Sequence, residues 1–482
     1  MKILNGKIIR RISIKIISKF IRMNYKWLVG LMMFGACTTT ESYKQVIQIT
    51  RNSSKNHSLD NNDNFSPDGK WLVYDIRTDA GGIGGCPSIE RVNIETGETQ
   101  VLFDIPGNHN YGPGAGAVSY HPLENKVIFI HGLPVCTEEN PYQLWRRTGV
   151  IVNDNQPNVL VHMDSRDVTF PFTPGALRGG THRHEWRRDG KWIGFTYNDA
   201  IMKKLEDSTG VKWNLRTVAV ANQQRPPVVD QDAARENVQG TWFCAVVVRV
   251  VPNPKPGSDE ISNAASDSWV GTGGYQKPDG TMQVARAFLG KVKDKEGIGV
   301  DELFVVDIPD SLNVPGEYGP LEGTKTTFPM PPKGTVQRRL TYTANTKFPG
   351  CGDVVRSSPD GKHISFLARD KNGIQQVFMS SPLGGEPVQI TAHTSNVQGG
   401  VRWGKESDRI AYVWDNSIVI TEISDRPFEQ RFKRITAKSA LTPSNLVWSD
   451  DNRILAFNEL IAMDGNKEKT QQIFVVKLDQ NK

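Results

Sequence analysis

Five stretches of this chain follow one template. NFSPDGKWLVY (64–74), EWRRDGKWIGF (185–195), RSSPDGKHISF (356–366), VRWGKESDRIAY (401–412) and VWSDDNRILAF (447–457) each place a polar turn between two short apolar runs, and SYHPLENKVIF (119–129) is a looser copy. The turn chemistry is mechanical: Pro presets φ, Asp bonds the backbone and Gly accepts positive φ. Beyond the turn, large apolar residues recur at alternate positions, as in Leu72/Tyr74, Ile193/Phe195, Ile364/Phe366 and Leu455/Phe457. A period of two predicts a strand with one buried face.

A third strand is expected after each hairpin, at IERVNI (89–94), LRTVAV (215–220), LFVVDI (303–308), QQVFMS (375–380), SIVITEI (417–423) and IFVVKL (473–478). A fourth follows at TQVLFD (99–104), NVLVHM (158–163), PPVVD (226–230), VQRRLT (336–341), PVQIT (387–391) and FKRIT (432–436). Four-stranded units recurring roughly every 45 residues or more predict an all-β ring, a β-propeller. Unit starts near 64, 118, 184, 240, 355, 401 and 446 give seven four-stranded blades, with six or eight as neighbouring counts. The fourth start is the least regular. TWFCAVVVRVV (241–251) reads as its first strand but lacks the turn, and a Gly- and Pro-rich stretch at about 252–284 reads as an insertion. The last unit has no fourth strand of its own. Val46–Thr50, VIQIT, nearly copies PVQIT, so an N-terminal strand is expected to close the ring and remove two open sheet edges.

The first 36 residues are of a different character. They hold eight basic residues and no acid, and WLVGLMMFGAC ends them with small residues before Cys37. That order, basic then apolar then small, is a signal-peptide layout, and the apolar run is short for a membrane span. Phe34-Gly35-Ala36-Cys37 resembles a lipobox with Phe in place of Leu, which makes Cys37 the expected lipidation site. Met23 offers an alternative start, with 1–22 as an over-extension. The expected organisation is a signal over 1–36, a tether over 37–45 and a propeller over 46–479. Without the signal, 50 basic residues face 52 acidic ones, so the basic balance of the whole chain gives no reason to expect nucleic acid. Four cysteines remain, Cys86, Cys136, Cys244 and Cys351. No CxxC occurs. Cys86 and Cys136 fall at similar places in consecutive units, which makes a disulfide between them one option in an oxidising compartment.

The SPDGK…I.F…GG…(R/Q)(L/I)T pattern resembles the Tol-associated WD-like repeat of TolB-type β-propellers. The clearest copies are 65–104, 185–230 and 357–391, and weaker ones extend the resemblance over most of 46–479. It is also similar to an uncharacterised branch of bacterial Tol-like lipoproteins. The resemblance implies a fold and leaves the function open. TolB-type proteins carry an additional N-terminal domain and six blades; only the short tether over 37–45 joins Cys37 to the closing strand here.

In a propeller the first strand of each blade lines the central channel, so residues before each turn are expected to converge at one mouth. These are Asp63 and Asn64, Ala117 and Ser119, His182 and His184, Asn237 and Gln239, Asp353, Asn396 and Gln398, and Ser444 and Asn445. Such a polar ring suits water, a cation or a sugar-like ligand. His182 and His184 on one strand face could hold a divalent cation, with His109 or Asp353 as a third ligand and Glu185 or Asp353 as helper. The resemblance adds that oligogalacturonate lyases, seven-bladed relatives of this repeat class, use a His-bound metal; their full ligand set has no match here. The plainer reading is that these histidines bond water and backbone. Trp186, Trp403 and Trp448 recur at one repeat position, as expected of packing between blades. His121 is expected in a surface turn, and His57, His162, His363 and His393 on the surface. The expected role is a binding or scaffold module, monomeric and lipid-anchored at the periplasmic or outer-membrane side of a bacterial envelope, for a protein, peptide or glycan partner. The alternative is a metal-dependent polysaccharide lyase or hydrolase at the channel mouth.

Overall fold

A computed structural model describes residues 43–478 apart from 53, 60–62, 79–81 and 463–468. The signal, the lipobox and Cys37 lie outside the described residues. Among the described residues, seven four-stranded antiparallel sheets follow one another along the chain. The innermost strands of blades one to seven are Asn56–Ser58, Ala115–Tyr120, Gly179–Trp186, Ala264–Trp269, Cys351–Ser357, Val397–Trp403 and Ser444–Trp448. Blade seven takes its outer strand from the start of the chain: Val46–Gln48 pairs with Lys469–Lys477 in the register Val46↔Val476, Ile47↔Val475. The amide of Ile49 then donates to Ile473 O at 2.8 Å, and Thr50 Oγ1 accepts from Ile473 N at 2.9 Å.

The repeated turns work as their sequence implies. In SPDG, and in its copy SDDN at 449–452, the Ser hydroxyl donates to the Asp carboxylate two residues on: Ser66–Asp68, Ser358–Asp360 and Ser449–Asp451, each at 2.6 Å. The fourth position is left-handed: Gly69, Gly190 and Gly361 have φ near 70°, and Ser407 and Asn452 take the same role at 60° and 58°. Asn is among the residues that tolerate this region.

Burial departs from the simple alternation. Leu72, Val73 and Tyr74 are all fully buried. The reason is that each blade packs on two neighbours. Apolar residues gather into seven clusters among the described residues, each built from two adjacent blades. Leu72 and Tyr74 pack with Val447, Ala456 and Val475 of blade seven, whereas Val73 packs with Val118 and Phe129 of blade two. Alternation in the second strands therefore chooses between two neighbours, with no water-facing side.

Two expectations are corrected here. PPVVD forms no strand; Phe243–Val246, within the stretch read as opening blade four, is instead the outer strand of blade three, paired with Ala219–Asn222. Blade four opens at Ala264–Trp269, inside the stretch read as an insertion, of which Tyr275–Gln276 and Met282–Gln283 form a small hairpin. The strand that opens blade four carries a polar string, AASDSW, which hid it from a hydrophobic pattern.

Candidate functional site

One cavity of about 620 Å³ is lined by residues of six blades: Asp63 of blade one, Glu185 and Arg188 of three, Trp269 of four, Arg356 of five, Arg402 of six and Asp450 of seven. Only the ring axis is common to six blades, so this is the channel mouth on the side of the repeated turns. A larger cavity of about 790 Å³ lies on the flank between blades four and five, lined by Tyr342, Phe348, Phe366 and Phe378. It does not reach the axis.

The inner strands carry an irregularity that sequence periodicity could not show. Five of them place a non-glycine residue in the left-handed region: Ala117, Arg183, Ser266, Asp353 and Asn445, with φ between 53° and 65°. In blade six Gly399 and Gly400 take positive φ instead. Strand register shifts at each of these points. The irregularity inserts one residue in blades two, three, four and seven, which reverses the side chains beyond it, and two residues in blades five and six. The residues facing the mouth are therefore those beyond the bulge, Glu185, Arg356 and Arg402, and the next residue in each case turns between blades.

That next position is where tryptophan recurs. Trp269 Nε1 donates to Glu185 O at 3.0 Å, Trp403 Nε1 to Arg356 O at 3.1 Å and Trp448 Nε1 to Arg402 O at 3.3 Å. Each indole thus clasps the inner strand of a preceding blade. The turns link around the mouth as well, through Thr272 N to Pro359 O, Asp360 N to Ser407 Oγ and Lys405 N to Asn452 Oδ1, all within 3.0 Å.

The histidine pair is split by the bulge at Arg183. His184 is fully buried; its Nε2 lies 2.9 Å from Thr181 Oγ1, and a Cβ on Gly149 of blade two would come within 2.6 Å of it. Burial holds its imidazole down to about 3. His182 stays partly buried, and desolvation followed by the guanidinium groups of Arg147, Arg216 and Arg183 holds it well below the usual imidazole range. The two rings therefore occupy different surroundings. Among the described residues no group of three or more His, Cys, Asp or Glu side chains has the geometry to hold a metal ion.

The remaining sequence candidates fall into place individually. Glu185 accepts from Trp269 N at 3.2 Å and pairs with the buried Arg286 at 3.0 Å, which Asp267 also engages. Asp353 Oδ2 accepts from Gly400 N at 2.9 Å and joins blades five and six. Asp63 lines the mouth, where burial, offset by Arg188 and reinforced by Glu185 and Asp450, pushes its carboxyl up to about 7. Asn237 and Gln239 are away from the mouth: Asn237 bonds Thr169 and Asp230, and Gln239 bonds Pro227 and Val229, bracing the connector before the outer strand of blade three. Asn396 caps Gln375 N, and Gln398 bonds Asn416 and Thr442 at the far end of the blade-six strand. The string NVQG at 237–240 and 396–399 thus serves an outer connector once and an inner strand once.

His57, His121 and His393 are buried, contrary to expectation; His393 stacks on Trp414 at 3.9 Å and bonds Tyr412 Oη at 2.7 Å. Cys86, Cys136, Cys244 and Cys351 are free thiols. Cys86 Sγ donates to Ile76 O within blade one and Cys136 Sγ to Leu133 O within blade two, so the expected pair is not joined. Sequence reasoning missed Arg188, Arg356 and Arg402. The signal that marks the last two was in plain view: they precede the tryptophan position of the repeat.

A family model described as a protein of unknown function, DUF3748, matches residues 114–237. A protein of Escherichia coli (strain K12) described as uncharacterized protein YidR is 37% identical over 419 residues, covering 84% of this chain and 93% of that protein. Among solved structures, an oligogalacturonate lyase in complex with manganese matches 92% of this chain and 95% of its own, with a TM-score of 0.52 and 10% identity. TolB from Acinetobacter baumannii matches 86% of this chain and 81% of its own, with a TM-score of 0.34 and 13% identity. At 10% identity the likeness to the lyase speaks for the fold alone.

Proposed function

The chain belongs to the family of the uncharacterised Escherichia coli protein YidR, and we propose that it is a binding module of the bacterial cell envelope, anchored through Cys37 on the periplasmic or outer-membrane side. In this reading the monomeric ring is a rigid support, and the turn-side mouth meets a protein, peptide or glycan partner.

The observation that carries this reading is the state of the mouth's side chains. Glu185, Asp353 and Asp450 are each engaged in ion pairs or backbone bonds that hold one blade to another. Groups committed in this way shape a fixed polar surface and are poorly placed to shuttle protons. The alternative reading, a metal-dependent lyase or hydrolase, asks His182 and His184 to converge, and the bulge at Arg183 separates their surroundings.

The test is photocrosslinking in intact cells from Thr272 and Glu406, which line the mouth, with Val228, 77% exposed on a loop of blade three, as control. The expected outcome is a recurrent adduct from both mouth positions and none from Val228. Absence of mouth adducts, or the same adducts from all three positions, would overturn it.

A further inference from the structure

We propose that the open seam between blades four and five is a second docking site, for an extended segment of a partner protein that presents a bulky apolar side chain beside acidic residues. It is separate from the turn-side mouth and does not depend on what the mouth binds.

Blades four, five and seven carry the same cross-strand pair of phenylalanines in their second and third strands: Phe288 opposite Phe304, Phe366 opposite Phe378 and Phe457 opposite Phe474. The rings of each pair stack, with centroids 5.6, 6.1 and 5.9 Å apart, and each pair packs toward the preceding blade. In blades four and seven both rings are buried. In blade five Phe366 is buried and Phe378 only partly so, and the two form the floor of the cavity of about 790 Å³.

Blade four shows what fills such a seam. Its connector over 308–335 brings Leu312, Leu321 and Phe328 into one cluster with Phe288 and Phe304. The matching connector of blade five runs only from 381 to 387, and its Leu383 is 51% exposed. A polypeptide segment thus covers the first seam, and no segment among the described residues covers the second. The walls of the open seam are fixed, so it cannot close by collapse. Glu302, fully buried, pairs with Arg339 Nη2 at 2.9 Å and accepts from Thr341 Oγ1 at 2.5 Å and from Ala344 N at 2.8 Å. Across from it, Asp370 accepts from Asn372 N at 2.8 Å and Ile374 N at 3.0 Å. Phe348 backs onto Gly373, where a Cβ would come to 3.0 Å from its ring. A preformed aromatic groove of this size that stays open to water is a binding surface.

The rim selects charge. Arg339 is paired with Glu302, and Asp370 is occupied by backbone amides. Lys347, Arg369 and Lys371, all exposed, then face one remaining lining acid, Glu386. Acidic residues beside the inserted side chain meet this excess of positive charge. Tyr342, 56% exposed, is braced by Arg339 at 4.5 Å from its ring and supplies the aromatic contact at the entrance.

The test is selection of short random peptides displayed on phage against the full chain in phosphatidylcholine nanodiscs, which keep free detergent out of the seam. Enriched sequences are remade with a fluorescein label and titrated by fluorescence anisotropy. They should share a Phe, Trp or Leu with Asp or Glu beside it. Tyr342→Ala should weaken their binding about tenfold. The double variant Lys347→Glu/Lys371→Glu should do so by about tenfold or more, and wild-type affinity should fall as salt rises. Val228→Ser, on another blade, should change nothing. Circular dichroism confirms folding of each variant, and the lysine double variant decides where Tyr342→Ala fails to fold. Failure to enrich any peptide overturns the proposal, as do enriched peptides without acidic residues and binding that survives every folded seam variant. Self-association of the wild-type chain in sedimentation, abolished by the same variants, would give the seam to a second copy and overturn it too.

Discussion

Arg188, in the turn of the third blade, donates from Nη2 to Asp450 Oδ1, in the turn of the seventh, at 2.7 Å. Blades one and two stand between them on one side of the ring and blades four to six on the other. The bond therefore crosses the mouth. Every other turn-to-turn link described above joins immediate neighbours.

Both partners of this pair are substantially exposed, 38% for Arg188 and 52% for Asp450. Exposed pairs of this kind contribute about 0.2–1 kcal/mol. Arg188→Gln and Asp450→Asn should each lower unfolding free energy by less than about 1 kcal/mol, and the double variant should cost less than the sum of the two. Urea denaturation at low and high salt checks this, with the effect shrinking at high salt.

The tryptophan clasps should carry more. Trp403 is 8% exposed, and its indole N–H serves both Arg356 O and Ser365 Oγ, each at 3.1 Å. Trp403→Phe removes the donor and loses ring volume, while Ser365 Oγ still donates to Arg356 O at 3.0 Å, so the cost is expected at about 2 kcal/mol. Trp448→Phe, with one bond at 3.3 Å and a half-open setting, should cost about 1 kcal/mol. Chemical denaturation of the two variants side by side gives the ranking.

Closure by the N-terminal strand makes a sharp prediction at Ile49. Its amide donates to Ile473 O at 2.8 Å. Ile49→Pro removes that donor and crowds the pairing, and is expected to cost about 3 kcal/mol. Ile49→Val keeps the bond and should cost only about 1 kcal/mol. Thermal melts resolve the difference, and limited proteolysis should show cleavage near residue 50 in the Pro variant alone.

Asp164 gives the fold a pH signature. It is fully buried, accepts from Gly149 N at 2.7 Å, and burial raises its carboxyl from 3.8 to about 7. Below about pH 4 both folded and unfolded chains hold the proton, and it has no effect. Between pH 4 and 7 the unfolded chain releases it first, so stability falls as pH rises, and above pH 7 the cost is complete. Asp164→Asn abolishes this slope. The stability difference between variant and wild type should move in the variant's favour from pH 5 to pH 8, by a few kcal/mol at most. His184 and His393, each held down to about 3 by burial, act in the opposite direction: their contribution is complete above about 6.5 and is lost as pH falls.

The ring, its seven blades and its closing strand were legible because turn chemistry and copied strings are local. VIQIT pairing with IFVV needed no knowledge of distant contacts. The mouth was only partly legible, for a reason that lies in the bulges. The residue inserted at Arg183 shifts every later side chain of its strand to the other face, and two residues are inserted around Asp353 and around Gly399 and Gly400. Counting by twos from the turn therefore pointed to His184, which is enclosed between blades, and passed over Arg356 and Arg402. Blade four was misread because its inner strand is polar and its apolar predecessor, Phe243–Val246, belongs to the previous blade. Buried histidines such as His393 escaped notice because their apolar company, Trp414 and Tyr412, is assembled only by the fold.

The latch between Val46–Gln48 and Lys469–Lys477 also sets how the ring responds to tension. The strands run antiparallel, and Val46 sits opposite Val476, so the chain enters and leaves the sheet at the same corner. A pull on the two ends would load the backbone bonds one after another, as in a zipper, and none would share the load with the next. The circle is thus sealed against heat and denaturant by two full interblade seams, yet its fastening lies in the direction that yields most readily to force.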